Sequence, residues 1–481
     1  MKIAYITAGA GGMFCGSCLH DNTLTAALVR QGHDALLIPT YTPIRTDEPD
    51  VSQKRVFLGG INVYLQQKLG FFRHTPWFLD RLFDARPLLR WVARFAVKTE
   101  ASDLGDLTVS ILEGEHGHQR KEVDKLVAWL RDEVKPEIVH LTAALLSGLV
   151  HEIKERLKVP VLCSLQGDDI FLESLPESHR SRCLALVRVH CREIDGFVAT
   201  SAYYADFMAD YLSIPRERIH VVLPGLNLAG HGGHRIPLTP NPSPLSTGER
   251  GERGAPLSPG ERGERGSPLP PLGGEGLGVR GERPFTIGYF ARICPEKGLH
   301  VLTEAFHLFK QTPGTEQCRL HVSGWLGANN KDYFEGLYGT LKERGLGGHF
   351  LHIEAPDHDS KVRFLQGIDV LSVPTTYREP KGLYVLEALA NGVPVVQPRH
   401  GSFPELIEAT GGGLLVEPND PHDLAHALRQ LFDNGSHRQE LGRKGKEAVH
   451  TRFHAERMAT ETTAIYSQYL ANRQRELPGE R

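Results

Sequence analysis

Short apolar runs along the chain alternate with stretches in which apolar residues recur every three or four positions. The first run, residues 2–8 (KIAYITA), has the length and composition of a buried strand. Residues 20–31 place apolar side chains on one helical face, with Gly32 where such a helix would end. Residues 33–39 (HDALLIP) then read as a second strand. Strand, helix and strand predict a βαβ unit of a parallel sheet with a right-handed crossover.

The same alternation continues along most of the chain. Further strands before residue 230 are predicted at 138–141, 159–165, 196–200 and 220–223. Beyond residue 284, strands are predicted at 284–290, 319–323, 349–353, 370–373 and 394–396, and helices at 298–311, 333–344, 360–368 and 383–391. The pattern predicts an α/β protein of two doubly wound domains, 1–230 and 285–454. A long helix over 455–475 is free to pack back on the first domain.

Residues 231–284 separate the two domains and differ from both in composition. Positions 235–284 hold 10 prolines, 11 glycines and no aromatic residue, and the unit GERGERGAPLSP recurs as GERGERGSPLPP. So little apolar area cannot offset the entropy of ordering the chain, which predicts a disordered low-complexity linker. Glycine does not occupy every third position, so a collagen helix is excluded. A tether or partner-binding role stays open beside that of an inserted linker.

Charge and cysteine content narrow the class of protein. The 481 residues carry 55 Lys and Arg against 58 Asp and Glu, so there is no overall basic charge to favour nucleic acid. Seven cysteines fit a reducing compartment, and no apolar run is long enough to span a membrane. We expect a cytoplasmic protein. Residues 86–98 (RPLLRWVARFAVK) carry four cationic side chains at four-residue spacing. This pattern is typical of a helix that lies on an anionic membrane, and also of a helix that packs through its apolar side.

The strongest chemical signal is the segment EPKGLYVLEALANGVPVV at 379–396. Glu379 lies in a predicted turn and Glu387 in the following helix, so two carboxylates flank the start of that helix. Gly382 stands where the helix should begin, and backbone N–H groups at a helix start can bind an anion. Carboxylates beside such a site can accept hydrogen bonds from sugar hydroxyls. An ordinary helix with an exposed glutamate would show the same spacing.

This segment resembles the family 4 glycosyltransferases, which are retaining, nucleotide-sugar-dependent enzymes with the GT-B fold. The likeness extends to residues 288–298 (GYFARICPEKG), 401–407 and 412–420, and more loosely to the first domain. The resemblance implies two Rossmann-like domains facing a cleft. It also implies a hexosyltransferase that moves sugar from a nucleoside-diphosphate donor to a hydroxyl acceptor, a glycan or a lipid-linked molecule, with retention of configuration.

The resemblance also assigns roles to individual residues. Arg292 and Lys297 would bind the donor diphosphate, because a guanidinium and an ammonium can neutralise the charge that grows as the sugar departs. Glu379 would bind the donor sugar, and Glu387 would accept hydrogen bonds from the ribose hydroxyls. With such cations in place, the family usually needs no metal, so no metal or other cofactor is expected.

Backbone groups on both sides of the cleft complete the expected donor site. The amides of Lys381, Gly382 and Leu383 would cradle the phosphates. In the first domain, Gly11 and Gly12 match the glycine pair at which the family's backbone approaches donor phosphate and acceptor.

The main departure from the family lies at residues 165–169 (LQGDD), which resemble a segment that usually reads H-G-x-D. The histidine that would contact the donor sugar is Gln166 here. Glutamine can hydrogen-bond a hydroxyl but cannot exchange a proton near neutral pH. In the retaining mechanism the leaving phosphate itself accepts the proton of the acceptor, so the substitution puts rate and donor choice in question more than catalysis.

The sequence excludes one further function and leaves others open. A nicotinamide site would need G-x-G-x-x-G and an acid after the second strand, and neither is present. Cys15 and Cys18 form a C-x-x-C pair that suits zinc binding, redox chemistry or simply small residues lining the cleft. Two alternatives of function stay open: another GT-B activity, such as a phosphorylase or sugar epimerase, and a non-catalytic sugar-nucleotide binding protein.

Overall fold

Two parallel β-sheets, each of six strands and flanked by helices, organise the chain. The computed structural model describes residues 1–9, 15–57, 101–233 and 284–476. The predicted fold class of two doubly wound α/β domains is confirmed. The predictions at Gly11, Gly12, 86–98 and nearly all of the linker (234–283) fall outside the described residues.

The first sheet has the strand order β2-β1-β3-β4-β5-β6, and every neighbouring pair is parallel. Its strands are β1 (Lys2–Thr7), β2 (Asp34–Pro39), β3 (Ile138–Leu141), β4 (Val161–Leu165), β5 (Gly196–Ala199) and β6 (Ile219–Val221). Its helices are α1 (Gly16–Arg30), α2 (Ala101–Leu112), α3 (Arg120–Trp129), α4 (Val150–Leu157), α5 (Asp168–Glu173), α6 (Glu177–His190) and α7 (Ala202–Leu212).

The second sheet has the order β12-β11-β10-β7-β8-β9 and is also parallel throughout. Its strands are β7 (Thr286–Phe290), β8 (Arg319–Ser323), β9 (Phe350–His352), β10 (Val370–Leu371), β11 (Val395–Pro398) and β12 (Gly413–Val416). Its helices are α8 (Leu299–Lys310), α9 (Lys331–Glu343), α10 (His358–Gln366), α11 (Leu383–Ala390), α12 (Phe403–Thr410), α13 (Pro421–Asp433) and α14 (Gly435–Arg452). The chain ends in α15 (Ala455–Glu476).

Helix α1 begins four residues before its predicted start, and this difference matters for the site. Cys15 has extended backbone angles (φ −128°, ψ 127°), and the amide of Leu19 already donates to the carbonyl of Cys15 at 3.0 Å. The helix therefore also includes Ser17 and Cys18, which the apolar pattern alone did not assign to it. Several helices, among them α2, α6 and α7, were not predicted at all.

The C-terminal helix α15 leaves the second domain and completes the core of the first. Met458, Ala459 and Tyr466 are buried against residues of β1 and α1 in a shared apolar cluster. Where the chain crosses back, two backbone hydrogen bonds join the segments around Leu226 and Ala455. The Leu226 amide donates to the Phe453 carbonyl at 2.8 Å, and the Ala455 amide donates to the Leu226 carbonyl at 2.9 Å. The two chain segments that pass between the domains are thus joined to each other. Within the described residues, none of the helices combines the length and apolarity needed to span a membrane.

Replacement of Tyr466 tests how firmly α15 is docked. The Tyr466 hydroxyl lies 2.6 Å from Nδ1 of the buried His140, whose Nε2 lies 2.8 Å from the Ser164 hydroxyl. Burial lowers the pKa of His140 to about 3, so the ring is neutral and needs one donor and one acceptor. Tyr466→Phe leaves one ring nitrogen unpaired and should lower the free energy of unfolding by about 1–3 kcal/mol, measured by urea denaturation. Tyr469→Phe is the control, because its hydroxyl contacts His220 in a half-buried position; an equal loss in both variants would contradict the expectation.

Candidate active site

A cleft of about 1930 Å³ lies between the two sheets, at the carboxyl ends of their strands. Gly9 follows β1 and Gln166 follows β4 on one side, while Arg292 follows β7 and Gly324 follows β8 on the other. Ligands of doubly wound sheets bind beyond these strand ends, where loops converge and backbone groups are free of the ladder. The cleft is therefore the expected binding site of this fold.

Most of the residues predicted for the site are brought together by the structure. The predicted residues that line the cleft are Gln166, Arg292, Lys297, Glu379, Lys381, Leu383 and Glu387. Gly382 precedes the first residue of α11, with φ at 66°, which is a left-handed conformation that glycine adopts without strain. Gly11 and Gly12 lie outside the described residues, although Gly9 and Cys15 on either side of them line the same cleft.

Glu379 is the centre of a buried polar cluster. Lys297 Nζ lies 2.7 Å from Glu379 Oε2, and the hydroxyls of Tyr377 and Tyr384 donate to the same oxygen at 2.7 and 3.2 Å. Lys297 also contacts the Tyr377 hydroxyl and lies over the rings of both tyrosines. Burial alone would raise the pKa of Glu379, but the positive charge and hydrogen bond of Lys297 outweigh it and hold that pKa at about 2.

The amides at the start of α11 face this carboxylate. The backbone N–H groups of Lys381 and Gly382 both lie 3.4 Å from Glu379 Oε1. The Glu379 carboxylate therefore occupies a position beside the amides that were predicted to bind the donor phosphate. The contacts are long, so the amides are only weakly engaged by it.

Glu387 is paired with a lysine that the sequence analysis missed. Lys361 in α10 is buried, and its Nζ lies 2.6 Å from Glu387 Oε1 and 2.5 Å from Oδ2 of Asp47 in the first domain. Burial raises the pKa of Glu387, and the charge of Lys361 works against that rise. A signal was present in the sequence: Lys361 shares a helical face with Phe364 and Leu365, which are fully buried.

Gln166 and Lys381 meet across the cleft. The Lys381 ammonium donates to the Ser17 hydroxyl at 2.7 Å and to Gln166 Oε1 at 3.1 Å, while Gln166 Nε2 donates to Asp21 Oδ1 at 2.8 Å. The side chain of Lys381 and the carboxylate of Asp21 were not foreseen. Asp21 lies on the same helical face as the buried Leu24 and Leu28. A charged residue on an apolar helical face is the sequence feature that could have indicated a buried carboxylate here.

Residues of the first domain also form hydrogen bonds with the backbone of the loop before α11. The hydroxyls of Thr200 and Ser201 donate to the carbonyl of Pro380 at 3.0 and 3.2 Å. Glu405 of α12 accepts hydrogen bonds from the backbone amides of Ala202 and Tyr203 at the start of α7, at 3.1 and 3.2 Å. The position of the Glu379 loop therefore depends on both domains.

Gly298, in the segment that resembles the family's E-K-G, owes its identity to packing. Its φ is 71°, and a Cβ at this position would lie 1.7 Å from the carbonyl oxygen of Pro374. Any other residue would have to displace that backbone, so glycine is required for α8 to begin directly after Lys297.

Cys15 and Cys18 lie at the cleft-facing start of α1. Cys15 lines the cleft and Cys18 is buried one turn later. A hydrogen bond with Cys18 lowers the pKa of Cys15 well below its ordinary value, as in redox-active C-x-x-C pairs. Across the described ranges no group of three or more His, Cys, Asp or Glu side chains could hold a metal ion. The redox interpretation and the expected independence from metals stay predictions.

Family comparisons agree with this geometry. The profile of the family described as "Glycosyl transferases group 1" matches residues 278–448, and that of the "Glycosyl transferase 4-like domain" matches residues 22–225. The chain belongs to the family 4 glycosyltransferases. The resemblance inferred from the motifs at 288–298 and 379–396 is thereby confirmed.

Curated relatives of this glycosyltransferase align over part of their length. The D-inositol 3-phosphate glycosyltransferase of Corynebacterium glutamicum is 28% identical over 188 residues, which are 39% of this chain and 44% of that protein. The protein of the same name from Corynebacterium jeikeium is 31% identical over 161 residues, 33% of this chain and 38% of that one. The chain thus matches less than half the length of these relatives.

Solved structures show the same fold over nearly the whole chain. Sucrose-phosphate synthase from Thermosynechococcus elongatus superposes with a TM-score of 0.66 at 17% identity, covering 98% of this chain and all of that one. Anabaena HepE in complex with UDP and glucose gives a TM-score of 0.62 at 16% identity, covering 97% and 99%. The predicted GT-B fold is confirmed by these likenesses.

The Lys297–Glu379 pair makes a prediction about stability and pH. The pKa of Glu379 falls from an ordinary 4.5 to about 2 in the folded protein. The carboxylate therefore stabilises the fold above about pH 4.5, by about 3 kcal/mol, and this contribution is lost as the pH falls towards 2. In Lys297→Met the buried carboxylate lacks its cation, so the fold should lose about 3–5 kcal/mol at pH 7.

The variant should then recover stability relative to the wild type as Glu379 becomes protonated between pH 7 and 4. Urea denaturation at a series of pH values measures this difference. Lys297→Met/Glu379→Gln is the control and should show no such recovery. Parallel pH profiles of Lys297→Met and the wild type would contradict the assigned pairing.

Proposed function

We propose that this glycosyltransferase moves a hexose from a nucleoside-diphosphate donor to a hydroxyl acceptor with retention of configuration. The observation that carries the proposal is that Arg292, Lys297 and the first residue of α11 line the same cleft as Glu379 and Glu387. Two cations and a helix start provide the positive field that a diphosphate needs. Two carboxylates provide acceptors for hydroxyl groups beside it.

The diphosphate would be held by Arg292 and Lys297. Arg292 is exposed at the cleft, while Lys297 is buried and held in place by Glu379 and Tyr377. Because Lys297 is positioned before the donor arrives, it needs little reorganisation when negative charge grows on the leaving phosphate. A bound phosphate would share the Lys297 ammonium with Glu379, which leaves Glu379 available to accept a hydroxyl of the sugar.

The ribose would lie against Glu387. Its ion pair with Lys361 fixes the direction of the carboxylate, and Asp47 reaches the same lysine from the first domain. A carboxylate held in this way can accept hydrogen bonds from two neighbouring hydroxyls.

Transfer on one face of the sugar is proposed from the resemblance to retaining enzymes. The bond between the anomeric carbon and the phosphate oxygen breaks, the acceptor oxygen bonds to the same carbon, and its proton passes to the departing phosphate oxygen. Gln166 stands where a histidine would otherwise lie, and its amide exchanges no proton, so this route does not depend on a protein base there. No metal or other cofactor takes part in the proposed step.

UDP-linked hexoses are the first donors to test, because the solved structures of Anabaena HepE hold UDP and glucose or UDP-glucose. The acceptor is proposed as a hydroxyl of a glycan or of a lipid-linked molecule. For a lipid-linked acceptor, residues 86–98 are proposed to contact the membrane at the cytoplasmic face.

Removal of the diphosphate cations tests the proposal. Arg292→Ala and Lys297→Ala should each lower kcat/KM for the donor about 10²–10³-fold, because each removes a charge that acts on the leaving phosphate. Lys444→Ala is the matched control, since Lys444 is exposed on α14 away from the cleft. The measurement is release of nucleoside diphosphate in the presence of acceptor, with the anomeric configuration of the product determined by NMR.

Each outcome has a distinct meaning. Unchanged kcat/KM in both cation variants would contradict the assigned donor site, and an inverted anomer would contradict retention. Rearranged or phosphorolysed sugar without acceptor would indicate an epimerase or a phosphorylase. Binding of nucleotide sugars without turnover across acceptors would indicate a non-catalytic binding protein.

A further inference from the structure

Asp21 is a fully buried carboxylate in α1, and it receives hydrogen bonds from four sides. The Tyr5 hydroxyl donates to it at 2.9 Å, the Thr7 hydroxyl at 3.1 Å and Gln166 Nε2 at 2.8 Å, and the Thr142 hydroxyl also donates to it. Burial alone would raise the pKa of Asp21. Hydrogen bonds and charge from neighbouring side chains, His20 first among them, outweigh the burial and lower it. The group is therefore an anion that can only accept hydrogen bonds.

The amide of Gln166 lies between this anion and a cation of the other domain. Its Oε1 is 3.1 Å from the Lys381 ammonium, which can only donate hydrogen bonds. An amide between an obligate acceptor and an obligate donor has one favourable orientation, with its nitrogen towards Asp21 and its oxygen towards Lys381. The chemistry of the two neighbours therefore decides which way the amide points.

We infer that Asp21 is a positioning residue that holds Gln166 with Oε1 facing the cleft, where this oxygen accepts hydrogen bonds from Lys381 and from a hydroxyl of the donor sugar. The inference rests on the proposed function. A carbonyl oxygen has two lone pairs, so it can accept from the ammonium and from one hydroxyl together. At this point of the site, the enzyme recognises the sugar as a hydrogen-bond donor, while the nitrogen of Gln166 is committed to Asp21.

An exchange of polarity between positions 21 and 166 tests the inference. Asp21→Asn makes the buried partner able to donate as well as accept, so only Lys381 still favours one orientation of the Gln166 amide. Gln166→Glu sets two carboxylates against each other. In the double variant Asp21→Asn/Gln166→Glu, the amide introduced at position 21 can donate to the carboxylate introduced at position 166, and an acceptor oxygen again faces the cleft.

Each single variant should lower kcat/KM for sugar transfer about tenfold or more, and the double variant should recover at least about tenfold over Gln166→Glu. Affinity for the free nucleoside diphosphate, measured by calorimetry, should stay within about twofold, because the diphosphate cations are untouched. The probes are UDP-, GDP- and ADP-linked hexoses and the three free diphosphates. Losses that simply add in the double variant, or that affect the free diphosphate equally, would overturn the inference.

The same four proteins are compared by urea denaturation without any ligand. Non-additive unfolding free energies are expected, because the hydrogen bond between positions 21 and 166 exists in the free enzyme. If the wild type binds no nucleotide of the panel, the proposed function fails, while additive unfolding free energies would overturn the positioning role by themselves. Asp369→Asn is the matched control, because Asp369 is also a buried carboxylate but lies outside the cleft, where it accepts a hydrogen bond from the Thr286 amide at 2.9 Å. Its unfolding free energy should show no coupling to position 166.

A pH profile keeps the inference testable if Asp21→Asn does not fold. In Gln166→Glu, the protonated form of the introduced carboxyl reproduces the glutamine, since its O–H can donate to Asp21 while its carbonyl oxygen faces Lys381. The ratio of kcat/KM between Gln166→Glu and the wild type should therefore fall as the pH rises and the introduced carboxyl ionises. Several charged and titratable groups act on Asp21, Gln166 or Lys381. They are Tyr5, Cys15, Cys18, His20, Asp21, His140, Asp168, Glu379, Lys381 and Tyr466. A ratio that is constant from about pH 5.5 to 8.5 would overturn the inference.

Discussion

Neutralisation of buried charge is the constraint on which the cleft depends. Lys297 lies 2.7 Å from Glu379, and Lys361 lies 2.6 Å from Glu387, with all four side chains buried. An ion in such surroundings loses several kcal/mol of hydration, which only a close partner of opposite charge can offset. Glu379 and Glu387 therefore each have their own lysine.

The same constraint couples the two domains. Lys361 belongs to the second domain but also contacts Asp47 of the first, and Lys381 extends from the second domain to Ser17 and Gln166 of the first. A negatively charged donor that enters the cleft would compete for these lysines. Under the proposed function, binding of the donor would thus be linked to the relative position of the domains through shared charges.

Strand ends and helix starts could be predicted with useful accuracy because they follow from local patterns. The strand at Arg319–Ser323 and the start of α11 at Leu383 lie where the apolar periodicity and Gly382 put them. The early start of α1 at Gly16 was missed, because an extended Cys15 rather than a capping side chain begins that helix. Motif resemblance was sufficient to predict four residues that line the cleft, which are Arg292, Lys297, Glu379 and Glu387.

The sequence by itself determined the class of fold, the family and several of the charged residues that line the cleft, because these depend on periodicity and on residues close together in the chain. Only the tertiary structure decided which charge neutralises which. Asp21 is 145 positions from Gln166, and Gln166 is 215 positions from Lys381, yet the three side chains form one connected row. Such pairings arise from the way two sheets bring their strand ends together, and no local pattern encodes the distance between them.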